Sequence, residues 1–467
     1  MTGPGLELSR DEMLDLGAEA VALLADFLSA VDTRSASPDH GGPPPEIGAL
    51  GEPGTPVREV LGETLRAAEY AVETAGPRHF GFIPGGGLFS SAVAELLARG
   101  FNRYVPAAVM APAFAAIERA VLDWFGEVLG LPATAGGLLT TGGSSATLSA
   151  LIAARHDRLG TDATGGVYYL TENTNHCVEK AALIAGLPAS AARPVPTTER
   201  LSMDPAALRE QIRADRAHGH RPFLVVATAG TTSSGTVDDL ATIADIARDE
   251  GLWLHIDAAY GGFFTLTERG RSHFAGLDRA DSVVLDPHKG LFLPYGTGAV
   301  LVRDVRILAR AHIPATEAPP YLRDLDRDKG AEFDAADLGV ERSREFRGLR
   351  VWLPLRLHGV AAFRTALQEK LDLAELAYRE LAANPSLETP WAPELSIVVF
   401  RSRAGDAATQ SLRDRINASG QVFCSGTHLD GRYYIRLCVL SFRTHAEHVR
   451  TALEVIHAAA GLVGAPA

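Results

Sequence analysis

Asp257 ends the apolar run Trp253-Leu-His-Ile-Asp257, and Lys289 follows Ser282–Leu285 in Asp286-Pro-His-Lys289-Gly290. Thr228 stands in the same position after Phe223–Ala227, opening Thr228-Ala-Gly-Thr-Thr. An Asp at the end of a buried strand costs stability unless it meets a cation or hydrogen-bond donors. A Lys just past another strand end supplies an amine. A fourth cluster, 138–148 (LLTTGGSSATL), runs into a helical pattern. Its glycines let backbone N–H groups approach an anion, and Ser144 or Ser145 adds a hydroxyl, which makes a phosphate cradle without the Lys of a P-loop.

The elements that must position these residues follow from hydrophobic periodicity. Short apolar runs at Val167–Leu170, Phe223–Ala227, Leu252–Ile256, Ser282–Leu285 and Ala299–Val302 predict strands. Helical patterns fall between them at Ser145–Arg158, Asn175–Ala185, Pro205–Ala217 and Leu240–Asp249. This alternation predicts an α/β domain with a mostly parallel sheet covered on both faces. In such sheets ligands collect at the carboxyl ends of the strands, where the polar clusters stand. After residue 345 a long helix, Val351–Leu381, leads to strands near Ser396–Phe400 and Tyr433–Cys438 and a last helix over His445–His457, a small α+β domain. At the other end a capping box, Ser9 to Glu12, opens an amphipathic helix with Met13, Leu16, Leu23, Phe27 and Val31 on one stripe. A Pro/Gly-rich linker, Ser37–Pro56, follows. The expected division is an arm and linker at 1–86, a large domain at 87–345 and a small domain at 346–467.

Composition excludes several classes. With 44 Lys+Arg against 57 Asp+Glu, the net charge of −13 opposes non-specific binding to nucleic acid or anionic membrane. Three cysteines, Cys177, Cys424 and Cys438, make neither a disulfide scaffold nor a thiolate metal site and suit a reducing cytosol. No metal site, membrane span or secretory signal is expected.

A phosphate cradle, a buried acid and an amine together suit pyridoxal phosphate. That cofactor needs a phosphate site, an acid to keep its pyridine nitrogen protonated, and a Lys for its Schiff base. The residues also resemble the group II pyridoxal-phosphate decarboxylases, which include aromatic-L-amino-acid and glutamate decarboxylases. The resemblance rests on His176 in NTNHCVEKAALIAG, Asp257 in WLHIDAAYGG and Lys289 in DPHKG. It runs from RHFGFIPGGG at Arg78 to FRGLRVWLPLRLHG at 346–359, and more loosely to the C-terminus. It implies the fold type I, aspartate aminotransferase-like architecture and a homodimer with shared active sites. It further implies that Lys289 anchors the cofactor, Asp257 pairs with the pyridinium and His176 stacks on the ring near the substrate carboxylate. Thr228 and Ala259 would line the ring, His288 would neighbour the phosphate, and Gly143 and Ser144 would hold it.

In that family the substrate side chain meets the stretch before the large domain, here His79–Pro84. Phe80, Phe82 and Ile83 suit an aromatic or bulky side chain. Arg78 and Arg103 are the basic residues that a distal substrate carboxylate would have to use. Two departures stand out. Gly290 follows the Lys where the family often has Trp, which predicts a wider site. The stretch Arg323 to Arg344, where aromatic decarboxylases carry a proton-donating Tyr, has none; Phe333 and Leu338 are the nearest candidates, and Tyr321 lies too early. Losing a proton donor changes the fate of the carbanion, not the loss of CO2. The expectation is decarboxylation of an aromatic L-amino acid to its amine. Decarboxylation coupled to oxidative deamination is the alternative, followed by an aminotransferase and, more distantly, a non-enzymatic binding protein.

Overall fold

The computed structural model describes residues 6–37, 43–313 and 333–462. Seven strands form the large sheet: β1 (Gly136–Thr140), β2 (Gly166–Leu170), β3 (Ala192–Pro194), β4 (Arg221–Thr228), β5 (Trp253–Asp257), β6 (Ser282–Leu285) and β7 (Gly298–Val302). Their spatial order is β1-β7-β6-β5-β4-β2-β3. The run β6-β5-β4-β2-β3 is parallel, while β7 is antiparallel to both β6 and β1. The five strands read from the sequence are all present. The glycine-led β1 and the short β3, both lacking a long apolar run, were not anticipated.

Period-two alternation gives the sheet two apolar faces. Leu139, Tyr169, Val225, Leu254, Ile256, Val283 and Leu301 face one buried cluster, which includes Phe125, Ile212 and Ile243 from the covering helices. Leu138, Tyr168, Leu224, Val226, Val284 and Val300 face the other, against Ala146, Ala150 and Leu151 of the helix Gly143–Leu159. Burying each large side chain contributes roughly 1.5–3 kcal/mol, so the sheet is held from both sides. Rigidity there fixes the strand ends that carry the polar clusters.

The small domain contains a four-stranded antiparallel sheet, β10-β11-β9-β8, made of β8 (Leu387–Glu388), β9 (Ile397–Ser402), β10 (Ser425–Leu429) and β11 (Arg432–Cys438). The expected single helix Val351–Leu381 is instead two, Gly348–His358 and Val360–Ala382. Gly359, at φ 75°, breaks them, because that backbone region suits only glycine cheaply. The first of the two packs on helices Phe89–Phe101 and Pro112–Leu129, so the chain past 345 stays with the large body for three turns. The capping box forms as read: the Glu12 carboxylate accepts from Ser9 N–H at 2.9 Å. The arm helix Arg10–Ser29 buries none of its residues on this chain. A second arm helix, Val57–Glu69, follows the linker.

Candidate active site

Three neighbouring parallel strands bring the polar clusters into one cavity of about 340 Å³. Thr228 and Asp257 are register partners across β4 and β5, and Asp257 pairs with Val284 across β5 and β6. Two residues past Val284 stands Asp286, followed by a single turn, Pro287–Gly290, that carries His288 and Lys289. The cavity is lined by Gly143, Ser144, Ser145, Asn175, Cys177, Thr232, Asp257, Ala259, Asp286, His288 and Lys289, among others.

Lys289 Nζ lies 2.8 Å from Asp286 Oδ2. Burial alone lowers its pKa, but the Asp286 and Asp257 carboxylates outweigh burial and hold the ammonium form. Asp257 is buried, and burial raises its pKa even though Lys289 and the Ala259 N–H, 3.1 Å from Oδ1, oppose the rise. His288 Nδ1 lies 2.6 Å from the Thr297 carbonyl. A carbonyl only accepts, so Nδ1 carries the proton and Nε2 is left as the acceptor, 3.8 Å from Asp286 Oδ2. Burial lowers the His288 pKa, which favours this neutral ring. The Cys177 thiol is pushed up to about 11 by burial and by Asp257, so it is no nucleophile at neutral pH.

At the other wall the helix Gly143–Leu159 begins without a side-chain cap, which leaves its leading N–H groups for an anion. A Cβ on Gly143 would lie 2.9 Å from Asp286 Oδ2, so only glycine lets this backbone come so close. Two buried atoms, Thr228 Oγ1 and Asp286 Oδ1, have no hydrogen-bond partner. Buried polar atoms are seldom left so; Asp286 lines the cavity, and a polar ligand between the cradle and the lysine would satisfy its Oδ1. The donor set therefore fits pyridoxal phosphate: N–H groups and hydroxyls at one wall, a buried acid behind, and an amine within reach.

The expected residues do not all share this cavity. Gly143, Ser144, Asp257, Ala259, His288 and Lys289 line it, whereas Thr228 stands buried at its strand end and His176 is exposed between the lining residues Asn175 and Cys177. Phe80 is turned away: it is fully buried in the small-domain core with Val398, Phe400 and Ile435, its N–H donating to Phe423 O. Ile83 is buried in the core beneath the large sheet. Phe82 alone of the three is exposed, at 64%. Gly290 does not widen the site, because Phe263 fills the space beside it; a Cβ there would meet Phe263 Cβ at 2.8 Å. Of the Arg323–Arg344 stretch, residues 323–332 lie outside the described residues, as does Tyr321. Phe333 and Leu338 line a separate cavity with Val105, Glu118 and Val305. Asn175, Thr232 and Asp286 were missed as site residues. Asp286 was legible in principle, standing three residues before Lys289 at the start of a helical turn.

The mixed sheet and this cavity define a fold type I pyridoxal-phosphate enzyme. The chain belongs to the pyridoxal-dependent decarboxylases: the Pyridoxal-dependent decarboxylase conserved domain matches residues 49–403. It is 34% identical to an aromatic-L-amino-acid decarboxylase of Bacillus atrophaeus, covering 95% of this chain and 94% of that one. A solved structure of Oryza sativa TDC with PLP and tryptamine superposes with a TM-score of 0.88 at 28% identity, covering 99% of each chain. The 4-hydroxyphenylacetaldehyde synthase of Rhodiola rosea shares the fold, with a TM-score of 0.89 at 23% identity over 98% of this chain and 100% of that one. The protein is a pyridoxal-phosphate-dependent amino acid decarboxylase. Among the described residues no helix is long and apolar enough to cross a membrane, and no cluster of metal-ligating side chains occurs.

Proposed function

We propose that the substrate is an aromatic L-amino acid and the products are CO2 and the amine. The observation that carries this is Phe82, an exposed ring on the 79–84 stretch, while the adjacent cation Arg78 is engaged by the arm carbonyls of Asp32 and Arg34. An apolar ring suits an apolar substrate side chain, and a distal carboxylate finds no free cation at Arg78. The relatives named for aromatic substrates support the same choice.

Lys289 is assigned the covalent attachment of the cofactor, and Asp257 the pyridine nitrogen. Gly143 and Ser144, with Ser145 beside them, are assigned the phosphate, and Thr228, Ala259 and His288 the surroundings of the ring. His176 is assigned to the open face, near the substrate carboxylate. Bound there, pyridoxal phosphate supplies an electron sink for the pair left when CO2 departs. Asp257 holds a proton on the ring nitrogen, since a buried carboxylate without a cation is costly. Asp286, 2.8 Å from Lys289 Nζ, would hold the lysine as an ammonium whenever that amine is not attached to the cofactor. His288, protonated on Nδ1, keeps Nε2 as an acceptor on the cavity side.

The test supplies phenylalanine, tyrosine, tryptophan and Dopa, in air and without oxygen, and measures amine, aldehyde, ammonia and peroxide. Amine without peroxide is the expected result. Stoichiometric aldehyde, ammonia and peroxide would overturn it in favour of oxidative deamination, the reading favoured by the absence of Tyr from 323–344.

The working unit is assigned as a cytosolic homodimer. The helix Arg10–Ser29 leaves Met13, Leu14, Leu16 and Val21 exposed, an apolar stripe suited to a second copy. Sedimentation should give twice the 49.5 kDa chain mass; a fully active monomer would refute the dimer.

A further inference from the structure

Arg436, on β11 of the small domain, is buried, and its partners among the described residues are all neutral. Nε donates to Ser233 O at 3.0 Å and Nη1 to Ser425 Oγ at 2.9 Å. Nη2 donates to Phe82 O at 3.1 Å and also to Thr232 O. Burying a guanidinium without a carboxylate costs stability, so its presence calls for a use that a neutral side chain could not serve. One planar fork of N–H donors holds three separate chain segments at once, in a fixed geometry that an ammonium on a flexible stem does not provide.

The segment most affected is Phe82. Its φ is 53°, a left-handed conformation that a bulky residue adopts only when its surroundings impose it. Both of its peptide groups are held: its N–H donates to Ser425 Oγ at 3.0 Å, and its carbonyl accepts from Arg436. Ser425 Oγ therefore accepts from Phe82 and from Arg436 together. The ring is left exposed, 6.3 Å from Phe423 between centroids. The same guanidinium holds Thr232, which lines the cofactor cavity.

We propose that Arg436, with Ser425, is a positioning clamp for substrate selection. It sets Phe82 in its left-handed conformation with the ring free to meet the substrate side chain, and it ties that setting to the Thr232 wall of the cavity. The clamp rests on the assignment of Phe82 to substrate contact.

The test measures kcat and KM for tryptophan and phenylalanine, together with cofactor affinity, in the holoenzymes of F82A, S425A, R436K and F82A/S425A. R436K keeps the charge and loses the fork; S425A is the milder change, should R436K fold poorly. Both should raise KM for tryptophan, by about tenfold or more in R436K and a few-fold in S425A, with kcat changing less. The tryptophan-over-phenylalanine ratio should shift in the same direction as in F82A. The double variant should lose no more than F82A alone, because coupled neighbours are not additive. R436K with wild-type constants would show that the charge alone matters and overturn the clamp. So would a change confined to melting temperature in S425A. If F82A alters KM while S425A and R436K are silent, the clamp fails and the substrate assignment of Phe82 stands. If F82A is silent, that assignment fails, and the clamp with it.

Discussion

Replacing Lys289 with alanine removes the visible absorbance of the bound cofactor and lowers decarboxylation by roughly 10³-fold or more, since both the covalent attachment and a proton carrier are lost. The structure gives the substitution a second consequence. Lys289 is the cation within 2.8 Å of Asp286, and it also opposes the burial of Asp257. Removing it leaves two buried carboxylates facing each other without a counter-charge. Because the lysine side chain retains 21% exposure, solvent moderates the loss, and a destabilisation of about 1–3 kcal/mol is expected. The pair of measurements is an absorbance spectrum after cofactor addition and a thermal melt of the cofactor-free protein. Visible absorbance that survives K289A would remove Lys289 from its role.

Asp257→Asn should separate function from stability. The amide Oδ1 still accepts from the Ala259 N–H, so the local backbone is preserved. With the charge gone, the ring nitrogen loses its stabilising partner, and kcat should fall by roughly 10²–10³-fold, as when one aligned charge-stabilising group is removed from an active site. Stability should move the other way. The folded-state pKa of Asp257 is raised above the ordinary 3.8. A raised acid contributes stability below its unfolded pKa and loses that contribution as pH rises through its folded pKa, so Asp257 costs the cofactor-free fold free energy above its unfolded pKa. D257N should therefore melt no lower than wild type without cofactor, and gain less than wild type when cofactor is added. A melt several degrees lower would mean that Asp257 is a structural residue first.

These two residues were legible because their positions depend on short-range pattern. Short, mostly apolar runs over 223–227, 252–256 and 282–285 read as buried parallel strands, and a charge such as Asp257 directly after one, or Lys289 on the turn that follows another, is already anomalous. What failed depends on distant partners. Phe80 and Phe82 are indistinguishable by local pattern; Phe80 enters the core because Phe423, 343 residues later, offers its carbonyl, and Phe82 is set outward by Ser425 and Arg436. The strand Gly136–Thr140 was missed because its opening glycines carry no strand signal and its pairing with β7 spans more than 150 residues. The unbroken helix Val351–Leu381 followed from periodicity that is correct on both sides of Gly359; the glycine signalled the break and was outweighed.

The hydrogen-bonded ladder of β4, β5 and β6 has one more implication. Adjacent strands stand about 4.8 Å apart, so the residues at their ends hang on a ruler whose spacing backbone alone maintains. Thr228 and Asp257 keep their separation as register partners, and Asp286, just past β6, is tied to the end of β5 by its N–H to Ala259 O at 3.1 Å. The 79–84 stretch, proposed to meet the substrate side chain, is attached elsewhere, to β10 and β11 of the other sheet. The residues proposed for reaction and for recognition thus stand on different sheets, joined through Arg436. Libraries confined to 79–84 and 423–425 can explore substrate range while Arg436 and the strand ends around Asp257 are kept.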